Sequence, residues 1–201
     1  AYADFIRQLR EALSPGGAPV TVALAPKTSA GQAGLLYEGH DYAALGAAAD
    51  YCLLMTYEWG YAYSAPMAVS PIPKIRQVLD YAVTAIPAKK LLLGISSYGY
   101  DWPLPYTQGK TRARSIGCQQ AITIAREHGA EIFFDEAAQA PYFRYTAEAQ
   151  AHEVWFEDAR SIRAKLGLAA QYGLAGVGFW NLMRPFPQNW QVLDALCRIR
   201  R

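Results

Sequence analysis

The sequence predicts an α/β fold built on a parallel sheet, and three observations indicate it. First, four apolar runs are too short for typical helices and suit strands that are buried on both faces. They span residues 20–25, 52–56, 89–96 and 175–179. Second, helical patterns separate the runs, as in right-handed βαβ units. Third, aromatic or carboxylate residues follow three of the four runs, whereas Pro26-Lys27 follows the first. Because carboxyl ends of parallel strands share one edge, these side chains are expected to gather on one face.

The first half of the chain alternates helices with strands. Residues 1–13 carry an apolar stripe at helical spacing, and the Ser14-Pro15-Gly16-Gly17 stretch ends that helix. The strand at 20–25 leads through a Gly- and Ala-rich loop to a short helix at 42–47, and the strand at 52–56 follows. Pro71 then stands where first-turn prolines stand, before a helix with the stripe Ile72, Ile75, Val78, Leu79 and Ala82.

The second half adds a smaller unit of short strands. The strand at 89–96 is expected to end in the aromatic and acidic stretch 97–102. A helix at 116–128 ends at Gly129, and short antiparallel strands are expected at 131–134, 142–145 and 153–156. A helix at 158–172, the strand at 175–179 and a final helix at 188–199 complete the order.

Composition excludes several classes of function. Hydrophobic residues make up 52% and charged residues 18% of the 201 residues, which fits a globular protein of one large domain or one and a half small ones. A net charge of +2 without a basic stripe argues against nucleic-acid binding. No apolar stretch is long enough for a membrane span, and no signal peptide is visible. Cysteine and histidine spacing predicts neither a disulfide framework nor a metal site, and no cofactor is expected; Cys52, in a predicted strand, is interpreted as a small buried hydrophobe.

The stretch Leu53–Gly60 is the strongest site candidate from spacing alone. An apolar strand changes within two residues into a phenol, a carboxylate and an indole, at Tyr57, Glu58 and Trp59, before Gly60 ends it. Such a cluster at the end of a strand is typical of ligand sites in α/β folds. The alternative is a core strand that runs into an amphipathic loop, since aromatic residues at strand ends are common in packing.

Several motifs, in order along the chain, resemble glycoside hydrolase family 18, the chitinase-like (β/α)8 barrels. Met55-Thr56-Tyr57-Glu58 resembles the sixth-strand motif of that family. Residues 20–27, 94–102 and 176–180 resemble its fifth, seventh and eighth strands. The resemblance is closest to the bacterial branch associated with spore cortex lysis and LysM modules, which contains stretches similar to residues 111–115, 155–161 and 184–190.

The resemblance implies the C-terminal half of a (β/α)8 TIM barrel, strands five to eight, with a small α+β insertion between strands seven and eight. Residues 1–112 and 158–201 are then expected to form the half-barrel, and residues 113–157 the insertion. The family's proton donor is the glutamate of a D-x-x-D-x-D-x-E motif after strand four, and no stretch of the 201 residues matches this motif. We therefore expect the chain to be inactive alone, as a fragment of a longer protein.

The resemblance also implies roles for two catalytic residues. In this family the substrate's own 2-acetamido oxygen attacks the anomeric carbon, an exception to the two-carboxylate scheme. Tyr57 is expected to donate a hydrogen bond to that acetamido group, with a buried structural phenol as the alternative. Glu58 matches a position that is usually aspartate in the chitinases. It is expected to bind a sugar hydroxyl and to shape the electrostatic field at the −1 subsite, rather than to act as the general acid.

Other residues are substrate-binding candidates. Trp180 matches the tryptophan that forms the floor of the sugar subsite, with packing in the barrel mouth as the alternative. Further candidates for the rim are Trp59, Tyr98, Tyr100, Asp101, Trp102 and Asn181. In the insertion, Tyr142 and Arg144 are expected to form a wall over the cleft, and an ordinary strand pair is the equal alternative. Glu157 and Asp158 are interpreted as helix-capping residues.

Two functional hypotheses follow. The first is a glycoside hydrolase that acts on N-acetylglucosamine-containing polymers, with spore cortex peptidoglycan preferred over chitin. The second is a non-catalytic module that binds a glycan or self-associates. Open strand edges predict self-association or completion of the barrel by a missing N-terminal half. By resemblance, the protein is expected in the spore coat or cortex, or in the cell envelope of a bacterium.

Overall fold

The computed structural model describes residues 1–197 and has an α/β fold with two compact units. The first unit comprises residues 1–56, 74–94 and 167–178. The second comprises residues 57–73, 95–166 and those from 179 onward. Every residue predicted to be catalytic or substrate-binding belongs to the second unit.

The first unit contains most of a four-stranded sheet. Its strands are β1 (Thr21–Leu24), β2 (Tyr51–Leu54), β3 (Leu91–Ser96) and β9 (Gly176–Trp180), in the order β1-β2-β3-β9. β1 pairs with β2, and β2 with β3, in parallel register. Leu24, Leu54 and Leu93 have no exposed surface, and Cys52 is also fully buried, as the sequence predicted. The predicted parallel pairing is therefore confirmed for these three strands.

One helix precedes each of the first three strands of this sheet along the chain: α1 (Tyr2–Leu13) precedes β1, α2 (Tyr42–Ala48) precedes β2, and α3 (Ile72–Ala85) precedes β3. Of the apolar stripe on α1, Ile6 is buried, whereas Phe5 and Leu13 are exposed. Asp50, just before β2, accepts a hydrogen bond from the Val20 backbone at 2.8 Å and pairs with Arg10 at 2.7 Å. These contacts join α1 and the starts of two strands through one carboxylate.

The second unit contains a five-stranded antiparallel sheet in the order β5-β4-β8-β7-β6. Its strands are β4 (Tyr98–Leu104), β5 (Arg114–Gly117), β6 (Phe133–Asp135), β7 (Ala140–Ala147) and β8 (Gln150–Trp155). The prediction that residues 97–102 simply end the preceding strand is wrong, because residues 98–104 form β4. The reason is a period of two: Tyr98, Tyr100 and Trp102 alternate with Gly99 and Asp101, which is the pattern of a strand.

The helices of the second half are α4 (Cys118–Glu127), α5 (Ala159–Gln171) and α6 (Pro187–Leu196). α4 begins two residues after the predicted start, because residues 114–117 pair with β4 as strand β5. The predicted end of the last helix, at residues 198 and 199, lies outside the described residues. Within the described part of the chain, no helix is long and apolar enough to cross a membrane.

Two acidic residues before α5 have different roles. Asp158 caps the helix, since its Oδ1 accepts from the Arg160 and Ser161 backbone nitrogens at 2.9 and 3.0 Å. The same prediction for Glu157 is wrong. Its carboxylate is fully buried, accepts from Lys165 Nζ at 2.7 Å and from Ser96 Oγ at 3.3 Å, and forms an internal ion pair. Burial raises the pKa of Glu157, and the Lys165 ammonium opposes the rise.

Candidate active site

The end of β2 positions Tyr57 and Glu58. Thr56 is buried, and its hydroxyl donates to the Gly94 carbonyl at 2.7 Å, so the chain is held beside β3 immediately after β2 ends. Two residues later, Glu58 has a φ of 69°, in the left-handed region that side-chain-bearing residues rarely adopt. Such a conformation costs about 1 kcal/mol and is enriched at functional sites. The backbone outlier therefore supports a special role for Glu58.

Two buried phenols hold the carboxylate of Glu58. Tyr98 Oη donates to Oε1 at 2.5 Å, and Tyr100 Oη lies 3.0 Å from Oε1 and 3.1 Å from Oε2. Both tyrosines are buried, whereas Glu58 is exposed. Burial and the negative charge of Glu58 raise the pKa of Tyr100 to about 12 and raise the pKa of Tyr98 further. Both phenols therefore stay protonated at neutral pH and act as hydrogen-bond donors to an accessible carboxylate.

The geometry of β4 explains why both tyrosines reach Glu58. Residues two apart on a strand point to the same face, so Tyr98 and Tyr100 share one side of the sheet. Gly99, on the other side, allows close approach to β8. A Cβ at this position would lie 2.2 Å from the Trp155 carbonyl oxygen. Any side chain at residue 99 would push β4 away from β8 and displace the phenols.

Tyr57 lies against the same aromatic cluster. It is half-buried and packs on a group of buried residues that includes Tyr98, Tyr100 and Trp155. Burial, and next the charge of Glu58, raise the pKa of its phenol. Tyr57 is therefore a neutral hydroxyl, as a hydrogen-bond donor to an acetamido oxygen would have to be.

An aromatic row crosses the sheet beside this group. Strand register aligns Tyr100 with Trp155 and Trp155 with Tyr142, and residues that are paired in this way share a face. Tyr142 stacks on Trp155 with ring centroids 4.7 Å apart. Arg144, next along this face, binds Glu153 at 2.8 Å, and Glu153 in turn accepts from Trp155 Nε1 at 2.7 Å. The strand-pair alternative for Tyr142 and Arg144 thus describes their contacts, and a wall over a cleft stays a prediction.

Two of the rim candidates, Trp102 and Asp101, are buried. Trp102 has no exposed surface, and its Nε1 donates to the Ser64 carbonyl at 2.7 Å. Asp101 is 4% exposed, and its carboxylate is engaged by Tyr145 and His152, each at 2.9 Å, and by Arg114 at 3.2 Å. Their polar groups are thus engaged within the chain, and contact of Asp101 and Trp102 with substrate stays a prediction.

Trp180, Asn181 and Trp59 remain accessible. Trp180 is 57% exposed, and its carbonyl accepts from the Ser97 backbone at 3.0 Å. The Asn181 carbonyl accepts from Ser97 Oγ at 2.7 Å. Ser97 directly precedes Tyr98, so these bonds fix the backbone of Trp180 and Asn181 to the start of β4. Trp59 is half-buried, and its backbone donates to the Val69 carbonyl at 3.1 Å. A shared sugar between Tyr57 and Trp180 stays a prediction.

Arg184 was not predicted as a site residue. Its guanidinium carbon lies 5.7 Å from the ring centroid of Tyr98, a cation–π distance, and its charge opposes the rise in the pKa of Tyr100. Its Nη1 is buried and has no hydrogen-bond partner among the described residues. Arg184 begins the stretch 184–190, which resembles a stretch of the spore cortex-lytic branch. Nothing in the local spacing indicated that its side chain lies beside the tyrosines that bind Glu58.

The donor set does not suggest a metal centre. No group of three or more His, Cys, Asp and Glu side chains could hold a metal ion within the described residues. The polar groups at the site are phenols, one accessible carboxylate, the Arg184 guanidinium and indole or amide side chains. This arrangement can donate and accept hydrogen bonds and can offer flat aromatic faces, which suits a neutral polyhydroxylated ligand.

Comparison with known proteins gives the family. The profile of "Glycosyl hydrolases family 18" matches residues 1–184. The chain belongs to glycoside hydrolase family 18. The family 18 match includes every candidate site residue named above.

Similar proteins include enzymes named for spore cortex lysis. The cortical fragment-lytic enzyme of Bacillus subtilis is 53% identical over 195 residues, which cover 96% of this chain and 45% of that protein. The crystal structure of the Bacillus cereus spore cortex-lytic enzyme SleL matches with a TM-score of 0.94 and 42% identity, over 99% of this chain and 46% of that one. A chitinase from Chromobacterium violaceum matches with a TM-score of 0.86 and 30% identity, over 96% of this chain and 60% of that one. The chain spans about half the length of the curated relatives it matches.

Proposed function

We propose that this chain carries part of the active site of a glycoside hydrolase that acts on N-acetylglucosamine-containing polymers. Spore cortex peptidoglycan is the preferred substrate class, and chitin is the second. The main support for the proposal is that Tyr98 and Tyr100 hold the Glu58 carboxylate beside Tyr57. The chain that contains this arrangement belongs to family 18. The names of two relatives, a cortical fragment-lytic enzyme and a spore cortex-lytic enzyme, support the preference.

In the proposed mechanism the substrate's 2-acetamido oxygen attacks the anomeric carbon as the glycosidic bond breaks, and the leaving oxygen takes a proton from the glutamate of the acid motif that the 201 residues lack. Water then opens the cyclic intermediate, so the configuration is retained. Tyr57 donates a hydrogen bond to the acetamido group and holds its oxygen in position to attack the anomeric carbon, because fixing the attacking atom in place lowers the entropic part of the barrier. Glu58 accepts from a sugar hydroxyl and sets the field at the −1 subsite. The Trp180 indole packs against the C–H face of the sugar ring. The remaining proposed contacts are Trp59, Tyr98, Tyr100, Asp101, Trp102, Asn181, Tyr142 and Arg144.

The proposed architecture is the C-terminal half of a (β/α)8 barrel, with residues 113–157 as an insertion after strand seven. The coverage of about half of the relatives' length supports this interpretation. No D-x-x-D-x-D-x-E motif occurs in the 201 residues, so the chain alone lacks the family's proton donor. We expect it to bind glycan without cleaving it.

A non-catalytic glycan-binding or self-associating module is the second candidate, and the absence of the acid motif from the 201 residues favours it. Self-association through open strand edges, or completion by an N-terminal half, would cover backbone groups that a half-barrel exposes. Sedimentation distinguishes these states: a monomer at all concentrations would contradict self-association. The proposed location is the spore coat or cortex, or the bacterial cell envelope.

Incubation of the isolated chain with a chromogenic N-acetylglucosaminide tests the catalytic part. We expect no turnover. Turnover that is lost in Glu58→Gln but kept in Tyr57→Phe would show that Glu58 is the acid and that the roles above are wrong. Restored activity after addition of a segment bearing the acid motif, with loss in Tyr57→Phe, would support them.

A further inference from the structure

An exposed surface near the candidate site combines tyrosines with unpaired positive charge. We call the residues Tyr61, Tyr63, Lys110 and Arg112 the basic–aromatic ledge. The two tyrosines are 41% and 52% exposed, with ring centroids 6.3 Å apart. The guanidinium carbon of Arg112 lies 5.7 Å from the centroid of Tyr63. The ledge therefore presents aromatic faces and a cation side by side to solvent.

The backbone beneath the ledge is held rigidly. Three successive carbonyls, at Ala62, Tyr63 and Ser64, accept from Ala113 N at 2.7 Å, Tyr106 Oη at 3.0 Å and Trp102 Nε1 at 2.7 Å. Ala113 and Trp102 are buried, so two of these bonds are protected from water. The tyrosine side chains are thus presented from a fixed loop, and little conformational entropy remains to be lost when a ligand binds.

The charge of this region is one-sided. Residues 105–117 contain Lys110, Arg112 and Arg114 and no acidic residue. Arg114 is paired with Asp101 at 3.2 Å. No ion pair joins Lys110 or Arg112 to a carboxylate within the described residues, and both are exposed. Two cations thus remain available to an anion from outside the chain.

We propose that the basic–aromatic ledge is a subsite for an acidic, carboxylate-bearing sugar of the bound glycan. In this subsite, Arg112 binds the carboxylate and the Tyr63 ring packs on the sugar. The proposal rests on the proposed function, since it extends the same glycan from Glu58. Tyr63 is five residues from Glu58 on one loop, so their Cα atoms lie at most about 18 Å apart, within reach of one oligosaccharide.

The chemistry favours peptidoglycan over chitin at this place. A guanidinium presents parallel N–H donors that match a carboxylate, and the Tyr63 contact limits the orientations of Arg112. N-acetylmuramic acid carries a free lactyl carboxylate or, where a stem peptide is joined to it through an amide, the carboxylates of that peptide, whereas chitin is uncharged. The ledge would therefore distinguish two polymers that present the same N-acetylglucosamine to Glu58.

Calorimetric binding of two soluble tetrasaccharides to the 201-residue chain tests the proposal. One contains only N-acetylglucosamine, and the other alternates it with N-acetylmuramic acid that has a free lactyl carboxylate. We expect the acidic ligand to bind about tenfold more tightly, as one charge-assisted hydrogen bond implies. Arg112→Gln should make the two affinities converge, Arg112→Lys should keep part of the preference, and Arg126→Gln, an exposed control on α4, should keep it all.

Each other result overturns the proposal in a recognisable way. Equal affinities in the wild-type chain overturn the ledge while leaving glycan binding at Glu58 intact. A preference that survives Arg112→Gln, or that persists in about 1 M salt where exposed charges are screened, overturns the role of Arg112. Failure of both tetrasaccharides to bind overturns this proposal together with glycan binding by the chain.

Discussion

Two glutamates of the second unit, Glu58 and Glu157, each follow an aromatic residue, yet their environments are opposite. Glu58 is exposed, has a left-handed backbone, and is held by two neutral phenols. Glu157 has no exposed side-chain surface and is held by the Lys165 ammonium and the Ser96 hydroxyl. One carboxylate can meet a ligand. The other cannot be reached without disruption of the core.

The difference separates a ligand-binding carboxylate from a structural one. Phenols hold a carboxylate in place without supplying a counter-charge, and the Glu58 side chain stays accessible to solvent. A buried ion pair satisfies its two charges internally, and the loss of either partner leaves the other uncompensated. Substitutions at Glu58 should therefore change binding, and substitutions at the Glu157–Lys165 pair should change stability.

Lys165→Met should have the largest effect on stability. It leaves the Glu157 carboxylate buried without its cation, and we expect a loss of about 3–5 kcal/mol in the free energy of unfolding. Urea denaturation measures it. As a control, Glu157→Leu combined with Lys165→Met replaces both charges and should recover most of the loss. A single variant that unfolds like the wild type would show that the pair is not buried in solution.

The same variant should regain stability in acid. Burial raises the pKa of Glu157, and removal of the opposing Lys165 charge raises it further. The folded state then binds a proton at Glu157 more readily than the unfolded state does. The loss of unfolding free energy is therefore fully present above the pKa of Glu157 in the folded state. It becomes smaller as the pH falls towards 4.5, the usual pKa of a glutamate side chain. The difference in unfolding free energy from the wild type, measured from pH 8 to 4.5, should shrink. A difference that is constant or grows in acid would contradict the account.

Tyr98→Phe or Tyr100→Phe should weaken glycan binding with a smaller effect on stability. Each removes one donor to Glu58, and we expect about a tenfold loss of affinity for an N-acetylglucosamine oligosaccharide. Tyr145→Phe is the matched control, because it removes a phenol donor to Asp101 instead. If Tyr145→Phe weakens binding as much as the other two, the effect belongs to the sheet and not to Glu58.

The parallel strands and the position of Tyr57 and Glu58 could be predicted because local patterns determine them. Apolar runs of strand length predicted β1, β2 and β3, and the change from apolar to polar residues at Tyr57 lies three residues beyond the end of β2 at Leu54. What failed was the assignment of residues 98–102. Their period of two is that of a strand, but they follow the apolar run of β3 directly, so the sequence alone does not separate β4 from β3 without the pairing partners β5 and β8.

The contacts of Glu157 and Arg184 could not be predicted from local sequence patterns. Glu157 stands at a helix start, where acidic residues are expected as caps, and only tertiary packing brings Ser96, 61 positions away, to its carboxylate. Arg184 is 86 positions from Tyr98 in the sequence, yet its guanidinium lies over that ring. Contacts of this range depend on the whole fold, and a single sequence carries no periodic signal for them.

Calorimetry of an N-acetylglucosamine oligosaccharide with two variants tests most directly whether Glu58 is the ligand-binding carboxylate. Glu58→Gln should lower the affinity about tenfold or more, since it removes a charged acceptor. The Glu157→Leu/Lys165→Met double variant should stay within about twofold of the wild type. Undiminished binding by Glu58→Gln, or an equal loss in the double variant, would contradict the account.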